Sequence, residues 1–331
     1  MAAMESAHAI QLSAYGPPEV LVYGPVALAP LAPGEVRIRA IAAAVNHTDL
    51  KIRAGAWPVS KPSPFPYVPG VEVVGTVAGI GTAVSGWSIG QTVITMMQGL
   101  GGVRAQRPGG YAQFVTVDAD TLAPVPASVD PLAMAALGLA AVTAFEGLRR
   151  LGPLSGKRAL VTGAAGGVGS AATAIARALG ASVVAVVARP AQADYVRALG
   201  ADEVIVVERG GPAQLPHASV DAVLDCVGGP LFGPCVLALR ENGCLSLVGA
   251  VGGGDVAFDA WQLIRPVTLT GYSSETLDGA ALRNAVASLG NWLRSGVIGV
   301  PASMAIPLER AADAHRMLET GGVSGRVLLT T

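Results

Sequence analysis

The sequence predicts an α/β protein: a doubly wound parallel sheet in the middle of the chain, set between β-rich flanks. Three observations carry this. In Arg158–Ser170 the apolar strand Ala159–Val161 breaks at Gly163, adds Gly166, Gly167 and Gly169, and continues into an Ala-rich helix, Ala171–Leu179, closed by Gly180. A strand–helix–strand rhythm then follows at Ser182–Ala188, Pro190–Leu199, Glu203–Val207 and Asp221–Asp225. Residues 1–128, by contrast, alternate short β-rich pieces with Pro/Gly turns, the texture of a small antiparallel barrel with long loops.

The glycine turn has a chemical reading. Free backbone N–H groups and the positive end of the following helix form a pyrophosphate site, and a Cβ would hold the phosphates away. Gly163, Gly166, Gly167, Val168 and Gly169 are therefore candidate cofactor-binding residues, although Ala164 stands where the dinucleotide fingerprint has its first glycine.

In the flanks, the strands are Glu35–Ile41, Glu72–Ala78 and Gln113–Val117. Pro124 and Pro126 mark the crossing to the nucleotide domain. The tail returns to helix at Ala280–Arg294 and Ala311–Leu318, then to strand at Gly325–Thr330. The expected domains are 1–128 with 272–331, and 129–271.

Composition excludes several classes. A net charge of -1 and no basic cluster argue against a nucleic-acid partner. The longest nearly charge-free apolar run, Leu132–Phe145, is too short to span a bilayer, so it reads as a core helix. No export signal is visible at the start, and Cys226, Cys235 and Cys244 lack metal-ligand spacing, so a cytoplasmic location is expected.

Six segments, in order, resemble the medium-chain dehydrogenase/reductases, in their zinc-free quinone oxidoreductase (zeta-crystallin-like) branch. They are Ala44–Gly55, Pro69–Val77, Gly109–Val115, the glycine turn, Leu224–Gly229 and Gly325–Leu328. The resemblance implies a GroES-like barrel built from both termini, a Rossmann domain inserted in it, and an active site in the cleft between them. It also implies that zinc-dependent relatives have a Cys where this chain has Asn46 and a His where it has Val71, so no metal is expected. Without a Lewis acid, the fitting acceptors are quinones and α,β-unsaturated carbonyls, which delocalise hydride-derived charge onto their own oxygen.

At the end of the second strand, where NAD-specific sites carry an acid, this chain has Arg189. Arg189 is either a 2′-phosphate partner or a solvated arginine, and the first reading predicts NADPH. Where the family has its other phosphate supports this chain has Gln192 and Val207, so two supports are missing and Arg189 would carry more of the load. Resemblance carries Asn46, Asp49 and Lys51 to the catalytic region. Lys51 is either a donor to a developing enolate or a surface lysine. His47 is a pyrophosphate contact or a hydrogen-bonded loop residue. Thr143 lies beside the nicotinamide or bonds to its own helix. Val248, Gly249 and Arg326 are expected near the cofactor. The apolar loop 96–108 is expected to set specificity, with Trp57 and Tyr67 either walling the pocket or simply packing. The run Val267–Gly271 resembles an edge strand that pairs subunits, predicting a homodimer. Two other readings stay open: an enoyl-thioester reductase, and a nucleotide-binding protein without turnover.

Overall fold

The computed structural model describes residues 6–57, 65–97, 100, 107–208, 210, 214–321 and 323–331. Most of the expected specificity loop, 98–99 and 101–106, therefore lies outside the described residues. The chain forms two compact units. One comprises Met1–Leu139, Ser274–Arg294 and Ala302–Thr331; the other comprises Ala140–Ser273 and Ser295–Pro301.

The second unit is built on six parallel strands. Across the sheet they run Glu203–Val206, Ser182–Val187, Arg158–Val161, Val220–Asp225, Leu239–Leu247 and Thr268–Gly271. The chain leaves its first strand, Arg158–Val161, outward in one direction and then returns to build in the other. The order reverses between Arg158–Val161 and Val220–Asp225, paired as Ala159↔Ala222 to Val161↔Leu224. Ligands bind beyond the carboxyl ends of strands at such a reversal. The inner strands Arg158–Val161, Ser182–Val187 and Val220–Asp225 are mostly apolar and buried, and Leu160, Val184, Val186, Val223 and Leu245 form part of the core.

In the first unit the central strand is Glu35–Ala44, whose buried and less buried positions largely alternate, as a strand with one covered face requires. It pairs antiparallel with Glu72–Ile80, with Phe114–Asp118 and with the C-terminal strand Arg326–Thr330. The two ends of the chain thus build one sheet. One pair departs from the antiparallel expectation: Ser303–Pro307 runs parallel to Arg326–Thr330, because the helix Ala311–Glu319 carries the chain back before the last strand.

Two expectations shift. The helix after the glycine turn begins at Gly167, so Gly167 and Gly169 lie in its first turn and do not precede it. The apolar run 132–145 belongs to a longer helical element, Pro131–Arg149, which by length and composition could cross a membrane. It is mostly buried in the protein and is interrupted at Gly138 (φ 43°, ψ −146°). That break adjoins the division of the chain after Leu139, some ten residues later than the proline pair suggested.

Candidate active site and nucleotide turn

Asn46 ends the central strand's extension and caps the helix His47–Arg53. The Asp49 carboxylate, three residues on, folds back to accept the Asn46 backbone N–H at 2.9 Å, one arm of a capping box. Its other oxygen accepts the Val71 N–H at 3.0 Å. Asp49 is fully buried, and burial, reinforced by the charge of Glu72, raises its carboxyl to about 7.

Both N–H hydrogens of the Asn46 amide are committed, and its oxygen takes one donor. Its NH2 donates to Glu72 Oε1 at 2.8 Å and to the Ala44 carbonyl at 3.1 Å, and its carbonyl accepts from Arg326 Nη1 at 3.0 Å. Arg326 Nη2 completes the group with a 2.5 Å ion pair to Glu72 Oε1, both side chains being almost wholly buried. The second Glu72 oxygen accepts the Leu139 N–H at 2.7 Å, and this contact satisfies the backbone where the 131–149 element breaks. A Cβ on Gly138 would lie 1.9 Å from that oxygen, so the position requires glycine.

The candidates around this group fare differently. Lys51 is half-buried and has no hydrogen bond or ion pair among the described residues, which leaves its ammonium available. His47 is exposed. Tyr67 is buried, and its backbone is paired with Leu12 across a β-bridge. Arg326 has both Nη groups on Asn46 and Glu72, and only its Nε lacks a partner among the described residues.

In the parallel-sheet unit, Gly163 takes φ +58°, and Gly166 caps the helix Gly167–Ala178 without any side-chain cap. No side chain at Gly166 therefore takes up the first N–H groups of that helix. A Cβ on Gly169 would lie 2.2 Å from the Gly163 carbonyl oxygen, so the turn can close only with glycine there. Gly249 packs as tightly, its would-be Cβ 2.6 Å from the Cys226 carbonyl oxygen, and the Val248 N–H bonds to the Asp225 carbonyl. The Thr143 hydroxyl has no hydrogen-bond partner among the described residues, so the alternative of a bond to its own helix is not realised.

Arg189 is exposed and without an ion pair among the described residues. Gln192 Oε1 accepts the N–H groups of both Ala188 and Arg189, at 3.2 and 3.1 Å, which fixes the turn that carries Arg189. Asp194 pairs with Arg197 on its own helix. Val207 packs against the core.

Two residues at the strand reversal escaped the sequence analysis. Asp225 Oδ1 accepts from the Thr162 hydroxyl at 2.6 Å and from the N–H groups of Val227 and Gly228 at 2.9 and 3.1 Å. The pair ties the ends of two adjacent strands beside the glycine turn. A threonine and an aspartate at the carboxyl ends of predicted strands were the visible signal.

Residues 32–127 match the alcohol dehydrogenase GroES-like domain family and residues 167–289 the zinc-binding dehydrogenase family. The chain is 31% identical to an NADPH-dependent alkenal/one oxidoreductase, chloroplastic, of Arabidopsis thaliana, over 89% of this chain and 72% of that protein. It is 30% identical to a quinone oxidoreductase of Lama guanicoe, over 97% and 96% of the two chains. It belongs to the medium-chain dehydrogenase/reductase superfamily, in the quinone oxidoreductase-like branch. Among solved structures, the yhdH oxidoreductase of Salmonella enterica in complex with NADP superposes with a TM-score of 0.83 at 26% identity, covering 99% of this chain and 100% of that one.

As a medium-chain dehydrogenase/reductase the chain is an oxidoreductase with a GroES-like and a Rossmann unit. The second family's description raises the question of zinc, and the residues do not fit it. Where metal ligands would be needed, Asn46 presents an amide whose two N–H hydrogens are given away and whose oxygen already takes a guanidinium, Val71 is apolar, and the same guanidinium occupies Glu72. Among the described residues no group of three His, Cys, Asp or Glu side chains gathers to hold an ion.

Proposed function

We propose that this medium-chain dehydrogenase/reductase is an NADPH-dependent reductase that delivers hydride, without a metal, to quinones or α,β-unsaturated carbonyls. The observation that carries the reading is the Arg326 guanidinium seated on Glu72 and Asn46, a fixed cation in place of an exchangeable one. An acceptor reduced there must be activated by its own conjugation. NADPH, when bound, supplies the hydride.

The uncapped turn 163–169 offers its N–H groups to the pyrophosphate, and the Asp225–Thr162 pair holds the neighbouring loop in place. Arg189 takes the 2′-phosphate, with Gln192 as the support that orders its turn. The Lys51 ammonium gives a hydrogen bond to the oxygen on which negative charge develops. Asn46 cannot, because both its amide hydrogens are already given away, so it positions the helix that carries Lys51.

NADPH oxidation followed at 340 nm with a quinone, an enone and an enoyl-CoA is expected to be fastest with one of the first two. Turnover confined to the thioester would favour an enoyl-thioester reductase, and none at all a binding protein without turnover. Arg189→Ala is expected to lower the NADPH-over-NADH preference in kcat/KM by about 1.5–3 kcal/mol, the size of one charge-assisted contact. An NADH preference in the wild type would refute the cofactor assignment.

The chain is further proposed to form a homodimer. Thr268–Gly271 lies at the edge of the parallel sheet, and Trp261, Leu263 and Ile264 just before it are exposed, Trp261 by 74%. An open strand edge beside apolar side chains invites a second copy. Light scattering should give twice the monomer mass.

A further inference from the structure

The helix His47–Arg53 has only seven residues, too few to keep an orientation by its own hydrogen bonds. The place of Lys51 is therefore decided by what grips the two ends of that helix. The Asn46 group grips the first. Arg53, 3% exposed, grips the second. Its carbonyl accepts the Gly16 N–H at 3.1 Å while its Nε donates to the Gly16 carbonyl at 3.0 Å, so backbone and side chain clasp one residue. Its two Nη groups reach the helix Ala311–Glu319: Nη2 pairs with Glu319, and Nη1 lies 3.4 Å from His315 Nδ1.

His315 is fully buried between Arg53 and Tyr111. The Tyr111 hydroxyl lies 3.2 Å from Nε2, and the two rings meet edge to face. Arginine can only donate, so Nδ1 accepts, and in a neutral imidazole Nε2 then carries the hydrogen. A second hydrogen, on Nδ1, would point at the guanidinium. His315 thus joins a donor on one side to an acceptor on the other. Tyr111 is itself held in place: its N–H donates to the Pro69 carbonyl at 3.0 Å, and a Cβ on Gly70 would lie 2.5 Å from its ring. One residue further on, the Val71 N–H reaches Asp49 Oδ1 at 3.0 Å and returns to the starting helix. Arg53, His315, Tyr111, the turn 69–71 and Asp49 close a ring of contacts.

We propose that His315 is a positioning residue: by joining Arg53 to Tyr111 it closes this ring and fixes the direction in which the helix His47–Arg53 presents Lys51. Without it Arg53 keeps only Gly16 and Glu319, and the last turn of the helix is free to shift while Asn46 holds the first. A donor displaced from the developing charge loses turnover, and cofactor binding is unaffected.

The kinetic half of the test rests on the donor role proposed above for Lys51; the exchange half does not. The N–H groups of Ala54, Gly55 and Ala56 bond to the carbonyls of Leu50, Ile52 and Lys51, so their hydrogen exchange reads the last turn directly. His315→Leu should speed that exchange about tenfold and leave the strand Glu35–Ala44 unchanged. His315→Gln, which offers an acceptor to Arg53 and a donor to Tyr111, should keep the wild-type rates. With a quinone or enone as acceptor, His315→Leu should lower kcat about tenfold at constant KM for NADPH, and His315→Gln should restore it. In a Lys51→Met background His315→Leu should cost nothing further. If His315→Leu does not fold, Tyr111→Phe, which opens the ring at its other contact, takes its place in every comparison. Unchanged exchange at 54–56, or exchange raised equally in Glu35–Ala44, would overturn the proposal. So would an equal loss of kcat in both backgrounds when Lys51→Met by itself slows turnover. Faster exchange confined to 54–56, in a protein that reduces no acceptor or is indifferent to Lys51→Met, would uphold the ring and refute the function proposed for Lys51.

Discussion

Glu72→Ala is expected to be the most damaging single substitution in the barrel unit, costing about 3–5 kcal/mol in denaturant unfolding. The carboxylate is 1% exposed and serves three partners at once: Arg326, the Asn46 amide and the Leu139 N–H. Removing it strands a guanidinium that is itself 5% exposed, together with two uncompensated buried N–H donors. The cost comes from the orphaned charge more than from the lost attraction. The double variant Glu72→Ala/Arg326→Met should therefore be less destabilised than the sum of its two singles. Strict additivity would mean that the pair is not coupled as the geometry requires.

The second large effect is on pH dependence, where two buried groups act with opposite signs. His315 is held down at about 3 against an ordinary 6.5, so below 6.5 the unfolded chain takes up a proton that the folded chain refuses. Its contribution is complete above about 6.5 and is lost as pH falls toward 3. Asp49 is raised to about 7 from 3.8, so its contribution is complete below 3.8 and is lost as pH rises through 7. Between 4 and 6.5 the two slopes cancel. Replacing the histidine unmasks the aspartate: relative to wild type, His315→Gln should gain about 3 kcal/mol on acidification from pH 6.5 to 4, taking roughly 1.4 kcal/mol per unit. Urea unfolding of both proteins at pH 4, 5.5 and 7 measures it. Parallel curves would show that His315 titrates normally in the folded chain.

The residues read well from the sequence are those whose reasons are local. The strand–turn–helix at 158–178 announces itself by a run of β-branched and apolar residues and by glycines that tolerate close approach, and both lie within about twenty positions. The position of Arg189 just past a strand end was legible for the same reason, because it needs no distant partner. His315 left a partial signal: Ala311, Ala314 and Leu308 put it on the inward face of the last helix, where a histidine needs partners. Its partners did not show. Tyr111 and Arg53 stand 204 and 262 residues away.

The sequence by itself determined the α/β architecture, the glycine turn between strand and helix and the residue types, Asn46 and Val71, that stand in the barrel unit, since each depends on residue type and short-range period. Only the tertiary structure decided what Asn46 does. Its amide hydrogens go to Glu72 and Ala44 and its oxygen to Arg326, which arrives from 280 residues along the chain on the closing strand. A side chain's chemistry depends on which of its hydrogen-bonding positions remain open, and in a buried group those are set by neighbours that only folding brings together.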